Sequence, residues 1–331
     1  EERAAHRHLY LVEGREISRS PQLNRATQGL YPPGSTFKVL SAIAALEEGV
    51  IDANTTFTCT GVFELGGQEF ACNNHDTPMM LDVTQAIKYS CNTFFYNVGQ
   101  RLTGEHLEDW CDRFGLGNVT GIEIDESTGH AAGPTYRDIM RKADPTLREW
   151  QGGDDVNAAI GQSDNAFTPL QLANYMAAVI NGGTLYKLTL VKNIKTYDYS
   201  DVVEESEPEI LGTIEFSDAT WNLVMQGMNE VTAEGGTAAT TFADYPIAVG
   251  GKTGSAEMTE NRDGVEINYT NGLFIAFAPF DDPEIVVCVV GEGAGHGSAV
   301  APVVRDIFDA YFAEEEPDTV ESVQAENTMV P

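Results

Sequence analysis

Between Arg25 and Glu47 the chain carries a single charged side chain, Lys38, and it lies in an apolar run that reads as a core helix. Tyr31-Pro32-Pro33-Gly34 ahead of it cannot be helical: the paired prolines force extended geometry on what precedes them, and Gly34 permits a sharp entry. The run from Ser35 to Leu46 predicts a helix, closed by Glu47-Glu48-Gly49 with Gly49 suited to a C-cap. An i, i+3 spacing stacks Ser35 and Lys38 on one face. Apolar neighbours disfavour the ammonium form, so a neutral Lys38 amine could take the proton of Ser35. Ser35 at the helix start also gains backbone N–H groups and the positive dipole end, which favour a developing oxyanion. Read alone, the segment is equally a capping serine followed by an ordinary surface lysine.

A second cluster, Lys252-Thr253-Gly254-Ser255, follows the strand-like Ile247-Ala248-Val249-Gly250-Gly251, whose glycines allow close backbone approach. A strand presenting Lys252, Thr253 and Ser255 beside a nucleophile could hold a carboxylate by charge and hydroxyl bonds. The N–H of Ser255 could pair with that of Ser35 as an oxyanion hole. An edge strand with an exposed lysine is the plainer alternative.

Two Ser-x-Asn triplets compete for a third role. Ser163-Asp164-Asn165 is the literal Ser-Asp-Asn, while Ser90-Cys91-Asn92 is looser. Ser90 sits between a helical segment, Leu81 to Tyr89, and an aromatic one, Thr93 to Gly99; a turn between two core helices can aim a hydroxyl and an amide inward. Ser163 reads as part of a loop feeding the helix that starts near Pro169. Ser90 and Asn92 are therefore preferred.

A Ser-x-x-Lys, a Ser-x-Asn and a Lys-Thr-Gly in this order are the motif set of penicillin-recognising serine enzymes. The chain resembles the transpeptidase domain of a class B penicillin-binding protein, most closely the elongation-type enzymes of rod-shaped bacteria. The residues that carry the resemblance are Asn24-Arg25-Ala26, Tyr31 through Lys38, Ser90 through Tyr96, Phe114-Gly115-Leu116-Gly117, Thr120-Gly121-Ile122, Thr168 through Ala173 and Gly251 through Ala256. It runs from Leu23 to Phe312.

The resemblance implies a mixed α/β (α+β) fold, a mainly antiparallel sheet flanked by helices with an all-helical lobe. It implies a D,D-transpeptidase that cross-links peptidoglycan through a Ser35 acyl-enzyme and is blocked by β-lactams. Lys38, Ser90 and Asn92 would be catalytic, and Lys252, Thr253, Gly254 and Ser255 would bind the substrate carboxylate. No cofactor is implied. Partners would be D-Ala-D-Ala stem peptides, β-lactams and, for the whole protein, a membrane glycosyltransferase of the elongation machinery. A D,D-carboxypeptidase or β-lactamase is one alternative, since no residue is assignable as a deacylating base. A non-catalytic β-lactam sensor is another.

Three departures stand out. The family usually has Gly-Gln-Gly where this chain has Gly161-Gln162-Ser163, and Thr where Ser255 stands. It also places a membrane anchor, a pedestal domain and the first sheet strands upstream of the nucleophile, whereas 34 residues precede Ser35 here. The expected division is a poorly matching remnant at 1–22, the transpeptidase domain at 23–313 and an acidic, disordered tail at 314–331. His8-Leu9-Tyr10-Leu11-Val12 reads as a residual strand. The anchor, absent from this chain, would hold the protein at the extracytoplasmic face of the membrane.

Composition fits that reading. With 51 acidic against 19 basic residues, the formal charge of −32 repels nucleic acid and anionic membrane surfaces. An anionic substrate then needs a local cation, the part given to Lys252. No run approaches the ~18 apolar residues of a membrane span, and no signal peptide is present. Of the remaining segments, His130 to Gly153 reads as a long surface connection, Pro169 to Asn181 as a helix and Lys187 to Ile214 as an exposed excursion. Asp218 to Glu234 reads as a helix capped by Asp218. Leu273–Ala278 and Ile285–Val290 form a hairpin, and Ala301 to Phe312 a terminal helix.

Five cysteines remain: 59, 72, 91, 111 and 288. Cys59 and Cys72 flank a hairpin tip at Gly66-Gly67 and could form a disulfide outside the cell. Cys59, Cys72 and His75 could instead hold zinc, with Cys91 as fourth ligand. Free thiols are the third possibility.

Overall fold

The computed structural model describes residues 22–72, 74–262 and 265–313, together with the backbone at 11–12 and 15–16. Leu11–Val12 (β1) pairs with Arg15–Glu16 (β2). The rest of the expected strand from His8, and the tail at 314–331, lie outside the described residues.

After a short helix, Arg25–Gln28 (α1), the chain enters a 3-10 turn at Gly34–Phe37 and then the helix Lys38–Glu47 (α2). The expected helix at Ser35 thus begins one turn later in α geometry. Thr36 explains the tighter first turn: its N–H and its hydroxyl both donate to Pro33 O, at 3.3 and 2.7 Å. Val39 through Ala45 are fully buried, as a helix without a polar face must be. Its end is the expected one. Gly49 N–H donates to Leu46 O at 3.1 Å and Val50 N–H to Ala45 O at 3.0 Å, the paired bonds of a Schellman cap.

Phe57–Cys59 (β3) pairs with Met79–Leu81 (β6), and between them Val62–Leu65 (β4) and Gln68–Ala71 (β5) form the hairpin expected around Gly66-Gly67. Two core helices follow, Val83–Lys88 (α3) and Asn92–Arg113 (α4), the second kinked at Thr103. The segment expected as a surface connection contains a helix, Pro134–Ala143 (α5), and the start of another, Gly152–Ala158 (α6). Pro134 is a helix starter there, pre-set for the first position where no N–H is needed. Its buried Arg137 pairs with Asp164 and Asp154, so α5 is held by charge more than by an apolar stripe, which hid it from a hydrophobic reading.

Pro169–Ile180 (α7) forms as expected. The excursion after it consists of short pairs, Thr184–Tyr186 (β7) with Ile210–Thr213 (β10) and Asn193–Lys195 (β8) with Val202–Glu205 (β9), the last fully exposed. Asp218–Thr232 (α8) is capped by Ser217, one residue before the expected Asp218; a short helix, Ala239–Phe242 (α9), follows.

The main sheet is antiparallel, in the order Gly250–Arg262 (β11), Val265–Ala278 (β12) and Ile285–Gly291 (β13). The predicted hairpin is present, with Leu273 opposite Val290 and Ala278 opposite Ile285. β12 is longer than its apolar half suggests: the polar stretch before Leu273 pairs with β11 as a ribbon running past the third strand, with Ser255 opposite Gly272 and Glu257 opposite Thr270. The terminal helix, Ala301–Phe312 (α10), packs with α7 on β12 and β13, while α8 and the Gly34–Phe37 turn pack on β11. α2, α3, α4, α6 and α8 form the helical lobe around Leu40, Ile43, Phe94, Phe95 and Val156. The fold is therefore the expected α/β arrangement of an antiparallel sheet flanked by helices. Among the described residues no helix is long and apolar enough to cross a membrane.

Candidate active site

Three chain segments meet where the Gly34–Phe37 turn touches β11. Gly34, at φ +52°, lies so close to Ser255 that a Cβ on it would stand 2.5 Å from Ser255 O. Its N–H donates to Gly161 O at 3.0 Å. From behind, the Tyr175 hydroxyl donates to Thr36 O at 2.6 Å and Phe37 stacks on Phe167. Ser35 is thereby held at the seam between the helical lobe and the sheet, half-buried and facing a cleft of about 880 Å³.

Lys38 lies under that seam, fully buried. Its Nζ donates to Ser90 O at 2.7 Å, to Ser90 Oγ at 3.3 Å and to Asn92 Oδ1 at 2.5 Å. Burial lowers its pKa to about 8, against a smaller upward pull from the thiols of Cys72 and Cys91. An amine with that pKa is partly neutral near neutral pH and can act as a base.

Ser90 owes its position to a helix end. Ser90 N–H donates to Ile87 O at 3.2 Å and Cys91 N–H to Ala86 O at 3.0 Å, which closes α3, and Cys91 caps α4 at once. Ser90 occupies the left-handed position of this cap, with φ 56°. Glycine is the usual residue there, and a side chain costs roughly 1–2 kcal/mol. The strained junction turns Ser90 and Asn92 toward Lys38 and the cleft, and Asn74 donates to both Ser90 O and Asn92 Oδ1.

The competing triplet is placed differently. Ser163 also borders the cleft, but Asn165 is buried and bonded to surrounding backbone: its Oδ1 accepts from Ala132 N–H at 2.9 Å, and its Nδ2 donates to Ala158 O and Gln162 O. That carboxamide braces backbone and is buried away from the cleft.

On β11, Thr253, Gly254 and Ser255 line the cleft. Lys252 does not; it is fully buried, and its Nζ donates to Thr253 O at 3.0 Å. Burial, and after it the positive charge of Lys38, holds its pKa well below the ordinary lysine value. Its amine therefore lies beneath the cleft in a setting that disfavours the ammonium form, and the surface donors are hydroxyls. The structure thus gathers Ser35, Ser90, Asn92, Thr253, Gly254 and Ser255 on one cleft, with Lys38 and Lys252 below it.

Sequence reasoning missed several residues on the same walls. Thr237 Oγ1 lies 2.6 Å from Thr253 Oγ1, and His296 Nδ1 lies 3.4 Å from Ser255 Oγ. Tyr96 and Glu257 complete the far side. Tyr96 closes the run that begins at Ser90, whereas Thr237, His296 and Glu257 stand in no motif and only the fold brings them in.

The thiols of Cys59, Cys72 and Cys91 and the ring of His75 converge behind Ser90, their donor atoms all within 4.8 Å of one another. Cys72 Sγ is 4.0 Å from Cys91 Sγ and accepts the Asn92 N–H at 3.2 Å. The five cysteines are free, so of the three possibilities the Cys59–Cys72 disulfide is not the one formed. A tetrahedral zinc site has ligand atoms about 3.3–3.8 Å apart, from bonds of about 2.0–2.3 Å, so a contraction of about 1 Å or more in the widest pairs would fit this set to the metal. Hydrogen bonding with the Cys91 thiol, supported by backbone N–H groups, holds the Cys72 thiol well below the ordinary cysteine value, toward the thiolate that a metal requires. With four protein ligands such an ion would be structural and would tie β3 and the end of β5 to the α3–α4 junction.

Comparison with known proteins agrees with this geometry. The family model "Penicillin binding protein transpeptidase domain" matches residues 5–309. "Peptidoglycan D,D-transpeptidase MrdA" of Haemophilus influenzae is 35% identical over 320 residues, covering 90% of this chain and 46% of that protein. The crystal structure of Pseudomonas aeruginosa PBP2 in complex with WCK 5153 superposes with a TM-score of 0.77 at 28% identity, over 89% of this chain and 64% of that one. A chain from a peptidoglycan synthase complex that coordinates polymerization and crosslinking gives a TM-score of 0.76 at 30% identity, over 91% of this chain and 49% of that one. The chain spans about half the length of the curated relatives it matches. With the family's motifs gathered on one cleft and its model matching nearly the whole length, the chain belongs to the penicillin-binding protein transpeptidase domain family.

Proposed function

We propose that the chain is the catalytic unit, residues 23–313, of a peptidoglycan D,D-transpeptidase of the elongation type. The observation that carries this is the buried Lys38, whose amine is shared between Ser90 and Asn92 and whose pKa is lowered to about 8. Ser35 attacks the penultimate D-Ala carbonyl of a stem peptide and Lys38 takes its proton. Ser90 passes a proton to the departing D-Ala, and Asn92 holds the substrate backbone. The terminal carboxylate meets the hydroxyls of Thr253 and Ser255 and the backbone of Gly254, with Lys252 bracing the strand behind them through Thr253 O. The N–H groups of Ser35 and Ser255, adjacent across the Gly34 contact, stabilise the oxyanion. An amine from a neighbouring strand then resolves the acyl-enzyme, and a β-lactam acylates Ser35 by the same route.

The relatives' greater length supports placing a membrane anchor outside these 331 residues, with the active site at the extracytoplasmic face. The likeness to a synthase that coordinates polymerization with crosslinking supports a membrane glycosyltransferase as partner of the whole protein. The test is covalent labelling: a fluorescent penicillin should label the folded protein, and Ser35→Ala should abolish labelling. Label that survives Ser35→Ala refutes the assignment. Rapid turnover of the penicillin would instead make the protein a hydrolase.

A further inference from the structure

The loop between α8 and α9 is fastened on both sides of Thr237. Thr232 Oγ1 donates to Val249 O at 2.5 Å, fixing the end of α8 to the residue before β11. Ala238, buried, returns its N–H to Val231 O at 2.9 Å. Between them Gly236 passes so close to the helix end that a Cβ would stand 2.2 Å from Glu230 O. The side chain held in place by this fold is Thr237, and its hydroxyl meets the hydroxyl of Thr253 at 2.6 Å on the cleft wall.

The direction of that bond matters. With Lys252 buried and engaged with Thr253 O, direct donors to a ligand carboxylate at this wall are hydroxyls. A hydroxyl has one proton to give. If Thr253 gave its proton to Thr237, it would turn only lone pairs toward an anion. If Thr237 gives its proton to Thr253, the Thr253 proton is free for the carboxylate, and the two O–H groups form a chain polarised toward the charge.

We infer that Thr237 is a positioning residue for carboxylate recognition, donating to Thr253 Oγ1 so that Thr253 donates into the cleft. The inference rests on the acyl-transfer reading of the site and adds a residue that none of the three motifs contains.

The experiment compares second-order rates of Ser35 acylation by benzylpenicillin and by its methyl ester in wild type, Thr237→Val and Thr237→Ser. Valine keeps the shape and removes the hydroxyl. Benzylpenicillin acylation should fall about tenfold in Thr237→Val, the scale of one lost hydrogen bond to a charged group. The methyl ester, with no charge to satisfy, should change by about twofold at most, and Thr237→Ser should restore the benzylpenicillin rate. Equal losses for both ligands, or an unchanged ratio, would overturn the inference, because a merely structural loop residue affects the two alike. If Thr237→Val fails to fold, Thr237→Ala against Thr237→Ser supplies the same comparison, the hydroxyl absent in one and kept in the other. Wild-type protein that benzylpenicillin leaves unlabelled at Ser35 would overturn the acyl-transfer reading itself, and this inference with it; an unchanged ratio in protein that is labelled overturns the inference alone.

Discussion

Lys38 Nζ donates to Asn92 Oδ1 at 2.5 Å, joining the first turn of α2 to the first residue of α4. The same amine bonds Ser90 through its carbonyl and its hydroxyl. An ammonium with three protons can serve all three contacts, whereas a neutral amine gains a lone pair for the nucleophile. In the proposed mechanism, protonation of Lys38 therefore sets whether the amine holds these contacts or takes the Ser35 proton.

Acylation should accordingly rise with pH through about 8, where Lys38 loses its proton. The linkage sign is separate. Burial depresses the folded-state pKa below that of the unfolded chain, so the unfolded state binds more protons between about 8 and the ordinary value of 10.5. Lys38 thus favours the folded state increasingly as pH rises across that window. Lys38→Arg, charged throughout, should lack the rising limb. A flat rate profile from pH 6 to 9 in wild type would show that Lys38 is not the base.

Asn92 and Asn165 should fail in different ways. Asn92→Ala should slow acylation by one to two decades, the effect of losing a polar contact worth ~1–3 kcal/mol, with little change in melting temperature. Asn165→Ala breaks three buried bonds and should lower the melting temperature instead, leaving folded molecules reactive. Labelling rates and thermal melts of both variants check this, and the reverse pattern would return the role to the Ser163 triplet.

How far the sequence was legible follows from where each residue sits. The turn at Pro32-Pro33-Gly34, the end of α2 at Gly49 and the junction at Ser90 were readable because local chemistry decides them. That Ser90 lies at a helix–helix junction and Ser163 in a feeding loop was legible for the same reason, since both follow from the local segments. α5 was hidden because Arg137 with Asp154 and Asp164 replaces an apolar stripe. The β11–β12 ribbon was hidden because Glu257 and Thr270 pair across a face that looks to the cleft rather than to a core. The depth of Lys252 and the meeting of Thr237 with Thr253 arise from packing between distant segments, which carries no local signal.

Gly34→Ala tests the seam between turn and strand. The added methyl would overlap Ser255 O, 2.5 Å away, at a φ of +52° that a side chain tolerates poorly. Relief requires Ser35 and Ser255 to move apart, and their N–H groups would no longer converge. Loss of one such donor typically costs ~10²–10³ in rate, so acylation should fall by about that factor while Ser35 itself is intact. A near-normal rate would show that the two N–H groups do not act together.

The thiol cluster behind Ser90 gives the last prediction. Four donors within 4.8 Å, three of them buried, are costly to leave as competing thiols and favourable to fill with one soft cation. Protein produced with zinc should carry one ion per chain, and cobalt exchanged into the site should show thiolate-to-metal charge transfer in the near ultraviolet. Cys72→Ser or Cys91→Ser should weaken the metal by at least the ~10–100-fold typical of outer-shell changes. Because Cys72 Sγ accepts the Asn92 N–H and Cys91 adjoins Ser90, stripping the metal should also lower the melting temperature and slow acylation. Cys111→Ser and Cys288→Ser, whose thiols lie outside the cluster, should leave the metal content unchanged. Fully reactive thiols at 59, 72 and 91 in freshly purified protein, with no bound metal and no change on chelation, would identify the cluster as packing alone.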